Sequence, residues 1–253
     1  MRKGTHDNYN ELIAYTKGTS LKKPIGTTMK VVLKRDGQQK ELTVERGDIK
    51  TSQVAYKMVS NTVGYMRVAK FDGNTVPGIK TALDGLNKQH MTGLVLDLRD
   101  NPGGDLEACC KACDLFLDKG VIVYTQDKKG NQKYYYSEDG KDPVPMVILI
   151  NKNSASASEV FTGAMKDRKR ATVMGVTSYG KGIVQSLYEL KDGSGLSLTT
   201  EQYFTPSGKN IHKKGINPDE KVELSDAAMK KTIPQLSYGE DTQLQEAVKK
   251  LAK

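Results

Sequence analysis

Three hydroxyls alternate with the smallest side chain in Ser154-Ala155-Ser156-Ala157-Ser158-Glu159, at the point where an apolar helical pattern begins. Serine at a helix start is a good N-cap for purely structural reasons. A serine nucleophile would be equally well placed there, exposed and close to helix-opening N–H groups that favour negative charge. A second turn, Pro102-Gly103-Gly104, lacks side chains that would keep a substrate carbonyl away from the main chain. A serine nucleophile needs a base. The three histidines do not look the part: His6 lies in the N-terminal segment, His90 in a polar loop, and His212 among Lys209, Lys213 and Lys214. Lysine can serve if desolvation lowers its pKa from about 10.4 by several units. Lys181 has suitable company, with glycines on both sides and an apolar strand behind it in Tyr179-Gly-Lys-Gly-Ile-Val-Gln185.

These residues must be carried by a folded core, and the chain supplies one. Its 253 residues suffice for one large domain or one domain with a small companion. With 37% hydrophobic and 27% charged residues it reads as globular. The longest apolar run, Met146 to Ile150, is far short of the roughly 18 residues of a membrane span. The first twenty residues carry no apolar signal-peptide core. Lys+Arg 39 against Asp+Glu 30 leaves a net charge of +9, yet no helix-turn-helix, zinc or RNP pattern accompanies it, so nucleic acid is not an expected partner. Cys109, Cys110 and Cys113 lack a fourth ligand at zinc spacing, and they read as core packing.

Asn8 with Glu11 resembles a capping box, so a helix is expected up to Gly18. Met29, Val31 and Leu33, then Asp36-Gly37, then Leu42 and Val44 spell a hairpin. The polar stretch Asp48 to Ser52 marks a boundary. Beyond it strands and helices alternate, the pattern of a layered α/β sheet with covering helices. Strands are expected over 62–71, 93–99, 144–150 and 171–176, and helices from Val76 to Leu86, Leu106 to Leu117 and Ala155 to Lys166. A hairpin joins Ile183–Leu190 to Leu196–Phe204, residues 127–136 form an exposed hairpin or lid, and Asp241 to Leu251 closes the chain as a helix. At the strand end, Asp97 and Arg99 are read as fixing the Gly-Gly turn by hydrogen bonds.

Leu96-Asp-Leu-Arg-Asp-Asn-Pro-Gly-Gly104, Ser154 to Glu159, Gly180-Lys-Gly-Ile-Val-Gln185, Pro206-Ser-Gly208, Gly215-Ile-Asn-Pro-Asp219 and Asp241-Thr-Gln-Leu244 occur in order. Together they resemble the carboxy-terminal processing peptidases, or tail-specific proteases, a family of Ser–Lys dyad serine peptidases. The resemblance spans residues 51–253. It implies an α/β protease core similar to the crotonase and Clp-protease superfold, and a serine endopeptidase activity near the C-termini of protein substrates. It implies Ser156 as nucleophile, Lys181 as general base and Gln185 as the residue that holds the lysine. On an ideal strand Lys181 and Gln185 share a face about 13 Å apart, so a bend is expected, with Gly180 and Gly182 to permit it. The oxyanion is expected at the Ala157 amide with one from Gly103 or Gly104, Gly103 by preference; Glu159 and Asp167 are supporting positions. No metal or organic cofactor is implied.

In this family a PDZ domain precedes the core. Residues 1–50 resemble only its last part, a helix and hairpin, without the glycine-rich binding loop. The expected partners are proteins or peptides with accessible C-termini, with self-association allowed, and the implied location of the full-length relative is extracytoplasmic. The alternative is an inactive peptide-binding relative that acts as a scaffold.

Overall fold

A computed structural model describes residues 13–16, 24–35, 38–47, 53–140 and 142–252. The chain divides into two compact units, Met1–Thr51 and Ser52–Lys253. In the first, β1 (Ile13–Thr16), β2 (Thr28–Arg35) and β3 (Gln38–Glu45) form an antiparallel sheet in that order. The expected hairpin is present, with Arg35 opposite Gln38 across the Asp36-Gly37 turn, whose two residues lie outside the described ones. The expected helix is not. Ile13–Thr16 is a strand paired with Val31–Lys34, and the Asn8, Glu11 and Gly18 signals lie outside the described residues. Pairing with β2 overrides a four-residue stretch whose local preference is weak.

The second unit carries β4 (Val54–Met58), β5 (Val63–Val68), α1 (Thr75–Asn87), β6 (Gly93–Asp97), α2 (Leu106–Asp114), β7 (Gly120–Asp127), β8 (Gln132–Ser137), β9 (Met146–Ile150), α3 (Ala157–Asp167), β10 (Thr172–Gly175), β11 (Ile183–Glu189), β12 (Gly195–Phe204), β13 (Glu220–Lys221) and α4 (Thr242–Leu251). One six-stranded sheet runs β13-β10-β9-β6-β5-β4, parallel except for β4. β6 and β9 are buried at every position, as strands covered on both faces must be. Alternation divides their side chains. Leu94, Leu96, Ile148 and Ile150 meet residues of α1, α2 and α3 such as Leu86, Cys113 and Phe161, whereas Val95, Val147 and Leu149 meet Leu244, Ala247 and Val248 of α4. The three thiols are free and buried, Cys109 and Cys113 in the main core with Cys110. Burial pushes the Cys110 and Cys113 thiols up, which keeps them protonated and inert.

A second sheet, β11-β12-β7-β8, is antiparallel. Residues 127–136 thus form a hairpin, as expected. β4 and β7 were not foreseen: β4 is a short edge strand, and the pattern of β7 is interrupted by an irregularity between Val121 and Val123.

Arg99 and Asp97 do something other than fix the Gly-Gly turn. Arg99 is wholly buried. Its Nη2 donates to Asp97 Oδ2 at 2.6 Å and to Asp241 Oδ2 at 2.7 Å, and its Nη1 donates to Asp241 Oδ1 at 2.8 Å and Gln243 Oε1 at 3.0 Å. Tyr65 Oη donates to Asp97 at 2.7 Å. Burial opposes the Arg99 charge, but the two carboxylates more than compensate and its pKa is raised. Since Asp241 also caps α4 through the Leu244 amide at 3.0 Å, this network ties the last helix to the end of β6.

Candidate active site

Two strand-to-helix turns lie side by side at the ends of the parallel strands β6 and β9, where open α/β sheets place their ligands. The first, 98–105, joins β6 to α2; the second, 151–156, joins β9 to α3. Hydrogen bonds staple them together. Ser154 Oγ donates to Leu98 O at 2.8 Å, Ala155 N to Asn101 O at 3.0 Å, and Ser158 Oγ to Asn101 O at 2.9 Å. Asp100 N donates to Asn151 Oδ1 at 3.0 Å, and the Asn151 and Asn153 amides each donate to Asp100 Oδ1 at 2.8 Å. The outer two serines of the alternating run are therefore structural staples, and both are fully buried.

Ser156, between them, is different. Its backbone has φ 56° and ψ −117°, a conformation that costs a non-glycine residue about 1–3 kcal/mol and persists only where the surroundings impose it. Ser156 is half-buried at the N-cap of α3, which begins at Ala157. Gly103 packs directly against it: a Cβ there would stand 2.9 Å from Ser156 Cβ, 2.8 Å from Ala157 N and 2.7 Å from Ala155 O, and its φ of 98° already demands glycine.

The Gly103 amide is already used, donating to Asn101 Oδ1 at 2.8 Å, while Asn101 Nδ2 is anchored on Val68 O at 2.9 Å. Of the two glycines expected to supply the oxyanion amide, Gly103 therefore has a competing acceptor. The Gly104 amide has no acceptor among the described residues, and its position is fixed by Phe71, whose N donates to Gly103 O and whose O accepts from Asp105 N, both at 2.9 Å. With the Ala157 amide at the opening of α3, Gly104 forms the candidate oxyanion pair. Ala157 O in turn accepts from Cys109 Sγ at 3.1 Å.

Glu159, fully buried on the first turn of α3, is the hub. Its Oε2 accepts from Ser156 N and Lys181 N, each at 2.8 Å. Its Oε1 accepts from Gly180 N and Ser178 Oγ, each at 2.6 Å. One carboxylate thus holds the backbone of the serine and the backbone of the lysine. Lys181 itself is half-buried, and among the described residues its amine has no carboxylate partner within ion-pair distance. It precedes β11 instead of lying on it, so the strand arithmetic for Lys181 and Gln185 does not apply. The irregularity in β11 falls at Val184/Gln185, not at the glycines. Gln185 is exposed, and no hydrogen bond joins it to Lys181 among the described residues. Gly182 serves another purpose: a Cβ there would lie 2.4 Å from His212 N.

An open cleft of about 740 Å³ is lined by Pro102, Ala155, Tyr179, Lys181, Ile183 and His212, among others. His212 was passed over in the sequence because its neighbours are lysines. Its Nδ1 is buried and has no hydrogen-bond partner among the described residues. Asp167 is not in this cleft. It ends α3, about 16 Å along the axis from Ser156, and accepts from Ser207 N at 3.0 Å and Ser207 Oγ at 2.6 Å. Its burial favours the neutral acid, but the Ser207 and Thr205 bonds win and its pKa is lowered. Among the described residues no three His, Cys, Asp or Glu side chains are grouped to hold a metal ion, and no helix is long and apolar enough to cross a membrane.

A strained serine at a helix start, faced by a glycine turn and tied to a lysine loop, is the arrangement of a serine-type acyl-transfer site. The model of peptidase family S41 matches residues 62–222. A probable CtpA-like serine protease of Staphylococcus haemolyticus is 40% identical over 232 residues, 88% of this chain and 46% of its own length. The carboxyl-terminal-processing protease of Synechocystis is 41% identical over 188 residues, 72% of this chain and 44% of its own. Among solved structures, the photosystem II D1 C-terminal processing protease superposes with a TM-score of 0.65 at 33% identity, covering 79% of this chain and 56% of that one. The chain belongs to peptidase family S41, and it spans about half the length of the curated relatives it matches.

Proposed function

We propose that this chain hydrolyses peptide bonds near the C-termini of protein substrates through a Ser156–Lys181 dyad and an acyl-enzyme. The observation that carries the reading is the Glu159 carboxylate shared between Ser156 N and Lys181 N. Neutral Lys181 takes the Ser156 Oγ proton as the oxygen attacks the scissile carbonyl. The amides of Gly104 and Ala157 receive the oxyanion. The Lys181 ammonium then gives its proton to the leaving amine, and water repeats the sequence to release the acyl group. Gln185 is part of the proposal as a residue that reaches Lys181 only when substrate orders the cleft.

Turnover of an unfolded protein by the wild type beside Ser156→Ala, Lys181→Ala and His212→Ala tests this reading. Loss in the first two with activity kept in the third is expected; substantial activity in Ser156→Ala or Lys181→Ala overturns it. An inactive scaffold would fail to react at Ser156 with a phosphonofluoridate.

The first unit is read as the last strands of a PDZ domain, which in complete form captures a C-terminal carboxylate by strand addition. Preference for a free over an amidated peptide C-terminus tests that. The parallel β5-β6-β9-β10 sheet with its crossover helices supports likeness to the crotonase and Clp-protease superfold. Protein substrates are the partners, nucleic acid is not, and the full-length protein is placed outside the cytoplasm.

A further inference from the structure

A second cavity, of about 560 Å³, adjoins the turns that carry Ser156. It lies at the C-terminal ends of β6, β9 and β10, where open parallel sheets hold their ligands, and its size is that of a ligand pocket. Asp100, Asn151 and Asn153 form one wall, and the segment from Glu223 to Ile233 forms the other. Val176, Leu224, Met229 and Ile233 give it apolar lining. Ile233 is buried and Met229 is 61% exposed, so apolar surface runs from the floor to the rim. Gln243 also lines the cavity. It is held at both ends, accepting from Arg99 Nη1 at 3.0 Å and donating through Nε2 to Val222 O at 2.7 Å.

The charges around it do not balance. Glu223 pairs with Lys221 at 2.7 Å, and Lys231 pairs with Glu240. Asp100 Oδ1 accepts from the Asn151 and Asn153 amides. Lys152 and Lys230 line the cavity as well. Both are exposed, and among the described residues neither has a carboxylate within ion-pair distance. Lys152, Lys230 and Lys231 against Asp100 and Glu223 leave the lining one positive charge in excess. An apolar pocket with a surplus positive charge complements a ligand with an apolar body and one negative charge. The last residue of a polypeptide has that chemistry, an apolar side chain beside the α-carboxylate. Continuity with the cleft favours the same ligand. Asn153 lines both this cavity and the cleft that holds Lys181, so the two share a wall. Asn153 precedes Ser156 by three residues, at most about 11 Å of chain.

We infer that this cavity receives the C-terminal residue of the polypeptide substrate, its side chain against Leu224, Met229 and Ile233 and its α-carboxylate at Lys152 and Lys230. The inference rests on the protease reading of the neighbouring cleft. It gives the protease unit a tail-reading site of its own, separate from the first unit. A tail of about four residues beyond the scissile bond is long enough to reach it. Substrates that end in an apolar residue with a free carboxylate are therefore preferred over those that end in a polar or amidated one.

The test is a titration of the Ser156→Ala protein, followed by fluorescence anisotropy, with two labelled peptides of one sequence ending in leucine, one a free acid and one amidated. The free acid should bind about fivefold more tightly. Adding Lys152→Gln and Lys230→Gln should bring its Kd to that of the amide and leave the amide's Kd in place. Lys88→Gln, at the end of α1 and away from the cavity, should leave the preference intact. Exchanging the terminal leucine for serine should weaken binding about fivefold, and Met229→Ser should shrink that difference. A free-acid preference that survives both lysine substitutions overturns the inference and puts tail recognition elsewhere on the chain. Equal weakening of both peptides overturns it too, since the lysines would then only support the cleft, and so does tighter binding of decanoate than of the free-acid peptide, which would assign the cavity to a lipid. The protease reading fails by a different sign, the absence of Ser156-dependent cleavage by the wild type; the acid preference of the Ser156→Ala protein reads the cavity whether or not cleavage occurs.

Discussion

Replacing Glu159 by glutamine keeps its shape and removes its charge, and the effect follows from four bonds. The carboxylate accepts from Ser156 N, Lys181 N, Gly180 N and Ser178 Oγ. A glutamine has one accepting oxygen and one donating nitrogen. If the oxygen stays with Ser156 N and Lys181 N, the nitrogen faces Gly180 N and Ser178 Oγ. The hydroxyl can turn to accept, but the Gly180 amide cannot, and it is left buried without a partner. That orphan costs about 1–3 kcal/mol, and the two surviving bonds lose the strength that the charge gave them. A net loss of about 2–3 kcal/mol lowers Tm by several degrees in a unit of this size, without unfolding it. Alanine would orphan every donor and consume much of a typical stability of about 5–15 kcal/mol, so it is the less informative variant. Because the lost bond lies in the lysine loop, Lys181 moves relative to Ser156, and kcat should fall on the order of a hundredfold with KM little changed. Thermal unfolding and steady-state kinetics on the same preparation check this. A variant that loses the expected stability yet turns over within about twofold of the wild type would refute the claim that Glu159 sets the dyad geometry.

Ser156→Gly should be inactive but more stable than the wild type by about 1 kcal/mol or more, since glycine relieves the strain at φ 56° and ψ −117°; a denaturant midpoint at or below that of Ser156→Ala would contradict the strain. Arg99→Lys cannot reproduce the fork to Asp97 and Asp241, so it should cost about 3–5 kcal/mol and strip hydrogen-exchange protection from α4 first. Asp167 has a folded pKa below its unfolded value. Its stabilisation is therefore present above the unfolded pKa of about 3.9 and lost as pH falls through the folded one. Asp167→Asn should lower Tm at pH 7 and make progressively less difference in more acid solution.

The turns that carry the chemistry were legible because each motif is a local rule: a glycine pair where φ is positive, a serine run at a helix start, a lysine between glycines. The α/β layering was legible for a similar reason, since β6 and β9 read as unbroken apolar runs. What stayed hidden depends on contacts between distant residues. Arg99 and Asp241 are 142 positions apart, so Arg99 could be placed at a strand end but not assigned its partner. Glu159 stood in the sequence only as a supporting position, and one of its bonds, to Ser156 N three residues back, is local. Its second pair of bonds reaches a loop 21 and 22 residues away, which no local spacing encodes. The competing acceptor for the Gly103 amide, Asn101 Oδ1, was equally hidden, because it turns inward only once Val68 holds its other end. Ile13–Thr16 became a strand because β2 was available to pair with it.

Ser156 can stay strained because of what surrounds it. Asp100 also has a positive φ, 58°, so the two facing turns each contain a residue in an unfavourable conformation, at a combined cost of about 2–5 kcal/mol. Six hydrogen bonds run between those turns, from Ser154, Ala155, Ser158, Asn151, Asn153 and Asp100. At about 0.5–1.5 kcal/mol each they supply about 3–9 kcal/mol, enough to hold both distortions. The staples also explain why the serine run alternates. Ser154 and Ser158 face the oxyanion turn and spend their hydroxyls on it, and the reversal of backbone direction at Ser156 is what leaves the middle hydroxyl for chemistry. Loss of either outer serine should therefore relax Ser156 toward an ordinary N-cap, lowering activity and the strain together. That makes the outer pair matter more than their distance from the reacting atoms suggests.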